Sequence, residues 1–235
     1  MKSKVSIIIP ARNDAKALGR TLDDLQCLRR IETTEVIIAA AGQRKETEES
    51  VAGRAPILWP QNPTRSGLMN AGALTASGDT FFFLHADSLP PVDALEEIDA
   101  ALQDPAVVGG AFDHRFEEKL WSLRVISWIN RRRYGLTRNY YGDQGIFVRA
   151  DVFRRMGGYR DLFMEDLDFS RRLKKAGRTK LISCPLVTSG RRFIAWGPWR
   201  AFSFIVWLLF LHALRLDTGR YAEYWNAREG KPHRS

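Results

Sequence analysis

The stretch "FFFLHADSLPP", residues 81–91, decides the fold. An apolar run of strand character ends on His85, Ala86 and Asp87, and Pro90–Pro91 block its continuation. A buried strand that closes on a histidine and a carboxylate puts polar chemistry at the carboxyl end of a sheet. Two readings stand side by side: Asp87 holds a ligand or a hard cation, or it caps a helix begun near the prolines.

The residues upstream define the sheet. Val5 to Ile9 is a mostly β-branched strand closed by Pro10, and Leu18, Leu22, Leu25 and Leu28 follow at helical spacing behind Asn13–Asp14. The unit repeats: strand at 35–41, polar helix at 44–53, strand at 55–59, helix at 67–76, strand at 80–84. Strands alternating with helices predict a parallel sheet covered on both faces. Ligands of such sheets bind beyond the carboxyl ends of the strands, where strand order reverses. With the first strand and the 80–84 strand as neighbours, Pro10 to Asp14 and His85 to Asp87 line one crevice.

After residue 91 the rhythm changes. Leu95, Ile98 and Leu102 mark a helix, 107–116 an extended strand, Trp121, Val125 and Trp128 another helix, and "GIFVR" at 145–149 a short strand after a turn. "GGY" at 157–159 reads as a loop, "EDLDFSRRLKKAG" as a helix with an acidic start and a basic end, and 179–184 as a last strand before Pro185. The expected fold is therefore α/β, Rossmann-like and mostly parallel in its first half, mixed in its second.

The 235 residues, 45% of them hydrophobic, suffice for one sizeable core, assigned to 1–197. Residues 198–235 form an apolar helix and a basic tail. Within "PWRAFSFIVWLLFLHALRL", 198–216, the uncharged stretch is shorter than the roughly 20 residues a spanning helix needs. Flanked by Arg191, Arg192, Arg200 and Arg215, it is either an interfacial helix on an anionic membrane or a core or dimer helix. The net charge of +9 favours phosphate-bearing partners. Cys27 and Cys184 read as two buried thiols of a reducing compartment, and the N-terminus lacks a signal-peptide core, so a cytoplasmic location is expected, peripheral on the inner face of the membrane.

Several short motifs carry chemistry in pairs of readings. "PARND" offers a nucleotide pocket or a plain helix cap, and Arg65 in "RSGLMNAG" a phosphate contact or an exposed loop arginine. In "MEDLDF", Glu165, Asp166 and Asp168 either complement a helix dipole or place Asp166 as a general base. "YGDQG" supplies Asp143 and Gln144 as contacts to a polyhydroxyl acceptor or forms only a turn.

Taken in this order and at these separations, the motifs resemble family 2 glycosyltransferases of the GT-A fold, from about Val5 to Phe193. The likeness extends to a compact bacterial subgroup with His-Ala-Asp in place of the usual DXD. The resemblance implies an inverting transfer of a sugar from a nucleotide-sugar donor to a hydroxyl acceptor, lipid-linked in one version, with Mn²⁺ or Mg²⁺ as cofactor. It implies Pro10, Ala11, Arg12, Asp14, Arg65, His85 and Ala86 around the donor, Asp87 on the metal, Asp166 as catalytic base with Glu165 beside it, and Asp143 and Gln144 toward the acceptor. Two positions depart from the pattern: Ala40 stands where many relatives read the nucleobase with an aspartate, and His85 replaces the first acidic metal residue. "TSGRRF", 188–193, does not match the Gln-x-x-Arg-Trp of processive synthases, so one-step transfer is expected. The competing functions are a nucleotidyltransferase, disfavoured by the lack of a glycine-rich loop with a lysine after strand one, and a non-catalytic basic module for anionic lipid or nucleic acid, disfavoured by the lack of a nucleic-acid-binding signature.

Overall fold

Eight strands form a single mixed sheet in the computed structural model, which describes residues 3–214, 216 and 218–221. The strands are β1 (Val5–Arg12), β2 (Glu35–Ala41), β3 (Ile57–Leu58), β4 (Thr80–Phe83), β5 (Ser88–Leu89), β6 (Val107–Phe116), β7 (Ile146–Arg149) and β8 (Arg178–Thr188). Their order across the sheet is β3-β2-β1-β4-β7-β6-β8-β5. β1 pairs in parallel with β2 on one side and β4 on the other, so strand order reverses between β1 and β4. β7 enters antiparallel between β4 and β6, giving the expected mixed half.

Alternation along the strands divides the core into two layers. Ile7, Ile9 and Phe82 face helices α1 (Ala15–Leu25), α2 (Arg44–Val51) and α4 (Ala94–Leu102). Ile8, Phe81 and Phe83 face α3 (Arg65–Thr75), α6 (Ala150–Arg155) and α7 (Glu165–Ala176). Phe81, Phe82 and Phe83 are all buried, and each such ring contributes about 1.5–3 kcal/mol of transfer free energy. On a third flank, α5 (Trp121–Thr137), α8 (Arg191–Trp196) and α9 (Pro198–Ala213) meet around Phe116, Leu123, Ile126, Phe193 and Phe202.

Several boundaries differ from the sequence reading, each for a local reason. β1 runs through Pro10 to Arg12 and stays paired with β2. The proline faces the β4 side, where pairing has already ended at Ile8–Phe83, so its missing N–H leaves no ladder bond unmade. β8 continues past Pro185 to Thr188 because a register irregularity at Phe112/Asp113 absorbs the proline. The 55–59 strand shrinks to Ile57–Leu58, and the segment after Asp87 holds β5 instead of a helix start; α4 begins only at Ala94. α6 and α8 have no counterpart among the expected elements, and of the two expected buried thiols Cys27 is exposed while Cys184 packs half-buried against the core. Arg215 and the basic tail after residue 221 lie outside the described residues.

Glu35 at the start of β2 ties three segments together. Its carboxylate accepts from the Ser6 hydroxyl at 2.5 Å, the Ser77 N–H at 2.9 Å and the Ser77 hydroxyl at 3.1 Å. Burial pushes the Glu35 carboxyl up, but the hydrogen bonds from Ser6 and Ser77 prevail and hold it below its ordinary value. A depressed folded-state pKa stabilises the fold above the unfolded pKa, and that contribution is lost as pH falls through the folded one. Glu35→Gln is therefore expected to cost about 1–2 kcal/mol in urea unfolding at pH 7. The difference from the parent should shrink below roughly pH 4; a pH-independent difference would contradict this account.

Candidate active site

Beyond the carboxyl ends of β1 and β4 the two strands part, and the site is built around that gap. Arg12 ends β1 exposed, and Asn13 follows with φ +53°, accepting the Gln43 N–H at 3.1 Å through its side chain. Asp14 precedes α1 yet makes no side-chain cap bond. Its carboxylate turns instead to Arg191 at the start of α8, which donates one nitrogen at 2.8 Å and a second, closer one. The same guanidinium lies 3.4 Å from Asp87 Oδ2. Arg191 thus bridges the carboxylates contributed by the ends of β1 and β4.

Asp87 is held in place by its backbone, whose carbonyl accepts the Ser189 N–H at 3.3 Å. Burial raises its carboxyl above the ordinary value; Arg191 opposes this, and the nearby Asp14 adds to it. Ala86 is buried and its carbonyl accepts the Thr21 hydroxyl at 2.8 Å, so this residue fixes the turn. Ala11 and Ala40 are buried in the core, at 3% and 1% exposure. A carboxylate at position 40 would therefore enter the core layer.

A second group of residues gathers on Arg65, the first residue of α3. Thr64 caps that helix, its hydroxyl accepting the Gly67 N–H at 3.2 Å. Arg65 Nε lies 3.3 Å from Glu165 Oε1, and another nitrogen donates toward His85 Nδ1 at 3.5 Å. Desolvation lowers the Arg65 pKa, yet Glu165, Asp166 and Asp143 together hold it above its ordinary value. Glu165 is buried, and burial raises its carboxyl despite Arg65. His85 is driven well below its usual range by burial and by Arg65, Arg192 and His114, which leaves a neutral imidazole at pH 7. Because Arg65 can only donate to Nδ1, Nε2 carries the proton; among the described residues that buried nitrogen has no hydrogen-bond partner.

Asp166 opens α7 after Met164, which takes a left-handed conformation at φ +65°. One carboxylate oxygen accepts the Leu167 N–H at 2.7 Å and the other the Gly142 N–H at 2.7 Å. A Cβ at Gly142 would stand 2.1 Å from the Arg65 guanidinium and 2.7 Å from His85 Nε2, so a larger residue there would displace these side chains. Pro10, Arg65, His85, Gly142, Tyr159 and Asp166 line one narrow cleft. Asp166 and His85 line this cleft, Asp87 follows His85 by two residues, and Arg65 is within electrostatic reach of both carboxylates.

The loop 141–145 separates the two expected acceptor residues. Asp143 lies 3.5 Å from His114 Nε2 and is partly exposed. Gln144 is buried; its amide donates to the Phe112 carbonyl at 3.1 Å and accepts the Tyr141 N–H at 2.9 Å, so its polar ends hold the loop. Tyr159 lies in the expected loop 157–159 and was not among the expected site residues, yet it lines the cleft. Gly157 and Gly158, at φ +72° and +68°, turn it inward, and Asn70 locks it by accepting its N–H at 2.9 Å and donating to its carbonyl at 2.8 Å. The paired glycines before an aromatic were the available sequence signal.

A family model described as glycosyl transferase family 2 matches residues 6–163. An uncharacterized glycosyltransferase of Mycobacterium tuberculosis, found in two strains, is 27% identical over 172 residues, 70% of this chain and 63% of that protein. The chain thus spans less than two thirds of the length of these relatives. Among solved structures, the mannosyltransferase PcManGT from Pyrobaculum calidifontis, in complex with GDP-Man and Mn²⁺, superimposes with a TM-score of 0.61 at 19% identity, over 80% of this chain and 57% of that one. S. aureus TarS 1-349 in complex with UDP gives 0.58 at 16% identity, over 82% and 64%. At such identities these structures establish the shared GT-A fold. With most of its length matched by the family model, the chain belongs to glycosyl transferase family 2.

Proposed function

We propose that this protein moves a sugar from a nucleotide-sugar donor to a hydroxyl acceptor in one inverting, non-processive step. What supports this reading is the cleft at the β1/β4 switch point that holds Asp166 and His85, with Asp87 two residues beyond His85 and Arg65 within electrostatic reach of both carboxylates. Pro10, Ala11, Arg12 and Asp14 border the donor side, and Arg65 and Arg191 supply cationic donors for a diphosphate. Asp166 takes the acceptor's hydroxyl proton as the acceptor oxygen bonds to the anomeric carbon. The bond from that carbon to the diphosphate oxygen breaks, and the nucleoside diphosphate leaves with the electron pair. Backbone donors from Leu167 and Gly142 fix the Asp166 carboxylate for this task, and each oxygen keeps a second lone pair. Glu165 keeps Arg65 oriented, Asp143 faces the acceptor, and Gln144 positions the loop that carries it.

A divalent ion suits this chemistry. Among the described residues no three His, Cys, Asp or Glu side chains cluster into a metal site. Mg²⁺ and Mn²⁺ bound with a diphosphate need only one or two carboxylates, and Asp87 with Asp14 beside it provides them, now neutralised by Arg191. The neutral His85 adds no competing charge. Bound at Asp87, Mn²⁺ or Mg²⁺ would supply charge neutralisation for the departing diphosphate. His-Ala-Asp thus serves in place of a DXD element with a single acidic ligand.

Among the described residues no helix is long and apolar enough to cross a membrane. The exposed side of α9, with Trp199, Val206, Trp207 and Phe210, supports peripheral contact with the cytosolic face of a membrane and a lipid-linked acceptor.

Screening UDP-, GDP- and dTDP-sugars with Mn²⁺ tests the function. Slow release of nucleoside diphosphate is expected, whereas release of pyrophosphate would indicate nucleotidyl transfer. Complete indifference to nucleotide-sugars, with steeply salt-dependent nucleic-acid binding, would leave the basic-module reading. Asp166→Asn should lower transfer by about 10²–10⁴-fold while donor affinity stays within threefold; parental turnover would remove the base. Asp87→Ala should weaken Mn²⁺-dependent donor binding at least tenfold by calorimetry, and unchanged affinity would refute its role.

A further inference from the structure

Asp14 and Asp87 follow different strands yet share one partner. The Arg191 guanidinium donates two nitrogens to the Asp14 carboxylate, one at 2.8 Å and one closer, and a nitrogen of the same group stands 3.4 Å from Asp87 Oδ2. Asp14 sits at the capping position of α1, where an aspartate ordinarily accepts from a free backbone N–H, but its side chain makes no such bond. Its carboxylate is committed to the guanidinium instead.

The contact depends on a side chain that is able to leave. The backbone just before Arg191 is pinned: Ser189 donates its N–H to the Asp87 carbonyl at 3.3 Å, and Gly190 donates its own to Glu118 at 2.7 Å. The Arg191 side chain is 51% exposed, so the guanidinium can swing into solvent while its anchor stays beside Asp87.

Charge decides what this contact does. Asp87 has within electrostatic reach the Asp14 carboxylate and the guanidiniums of Arg191, Arg192 and Arg65. Two carboxylates therefore face three cations. A divalent ion entering alone meets surplus positive charge and oxygens already held by a bidentate donor. A diphosphate reverses that balance, because it brings negative charge of its own and offers the released guanidinium a new bidentate partner.

We propose that Arg191 is an exchangeable counter-ion that gates the metal site: in the free protein it holds the cation's place between Asp14 and Asp87, and it yields only to a divalent ion accompanied by a diphosphate. Ion and diphosphate then bind together, not the ion first. This inference rests on the reading of Asp87 as the metal ligand of a transferase, and its first test needs neither donor nor turnover. Electron paramagnetic resonance titration of the full chain with Mn²⁺ alone measures the gate. Arg191→Gln is expected to bind Mn²⁺ at least tenfold tighter than the parent, because the carboxylates lose a competitor. Arg191→Lys, which keeps the charge, should stay within threefold of the parent, and adding Asp87→Ala to Arg191→Gln should abolish the gain. Calorimetry with UDP and with GDP, at Mn²⁺ concentrations saturating for each protein, should show the opposite sign: Arg191→Gln binds the nucleotide at least threefold more weakly. A residue that merely ties α8 to the end of β1 would give Arg191→Gln a lower melting temperature and parental Mn²⁺ affinity, and that result overturns the proposal. So does tighter Mn²⁺ binding that survives Asp87→Ala, or nucleotide binding by Arg191→Gln as tight as the parent's. If neither UDP nor GDP binds the parent, the transferase reading loses support while the Mn²⁺ comparison still decides this one.

Discussion

Arg65 is the charge on which the centre of the molecule depends. Three carboxylates reach its neighbourhood from different parts of the chain: Glu165 and Asp166 at the start of α7, and Asp143 in the loop before β7. Glu165 is buried, and a buried carboxylate deprived of its counter-ion typically costs 3–5 kcal/mol. The guanidinium also sets the state of His85, since a cation at Nδ1 adds to burial in keeping the imidazole neutral. One side chain therefore fixes the loop, the helix start and the strand end that together enclose the crevice.

The opening stretch receives its answer from the same geometry. The strand Thr80–Phe83 stops where β1 continues toward Arg12, and the residues that follow are released from the sheet into the gap. His85 turns to Arg65, while Asp87 turns to Arg191, which also holds Asp14. A hydrophobic strand ending on a histidine and a carboxylate is what a switch-point crevice requires: burial up to the last ladder bond, then polar groups beyond it.

The parallel half was legible because β-branched runs and leucine spacing are local signals. Ile7 to Ile9 and Leu18 to Leu28 carry their partners' periodicity within a few residues. β3 and β5, two residues each, carry no such pattern and exist only through pairing with β2 and β8. Pro185 signals a strand end locally, whereas the irregularity that tolerates it, two extra residues of β8 between Ile182 and Pro185 opposite the Phe112–Asp113 step, arises only when β8 pairs with β6. In the site, Asp87, Asp166 and Arg65 stood out as polar residues at element ends. The link between Asp14 and Arg191, at opposite ends of the chain, and the engagement of both ends of Gln144 by Phe112 and Tyr141 depend on tertiary closure.

The antiparallel insertion of β7 bears on biosynthesis. β4 finds its first neighbour, β1, early in translation, but its other edge stays open until residues 146–149 leave the ribosome. Until then Phe81 and Phe83 also lack the cover of Phe153 and Tyr159. A nascent chain paused within this interval displays a hydrophobic, unpaired strand edge, the kind of surface that chaperones engage and that seeds intermolecular pairing.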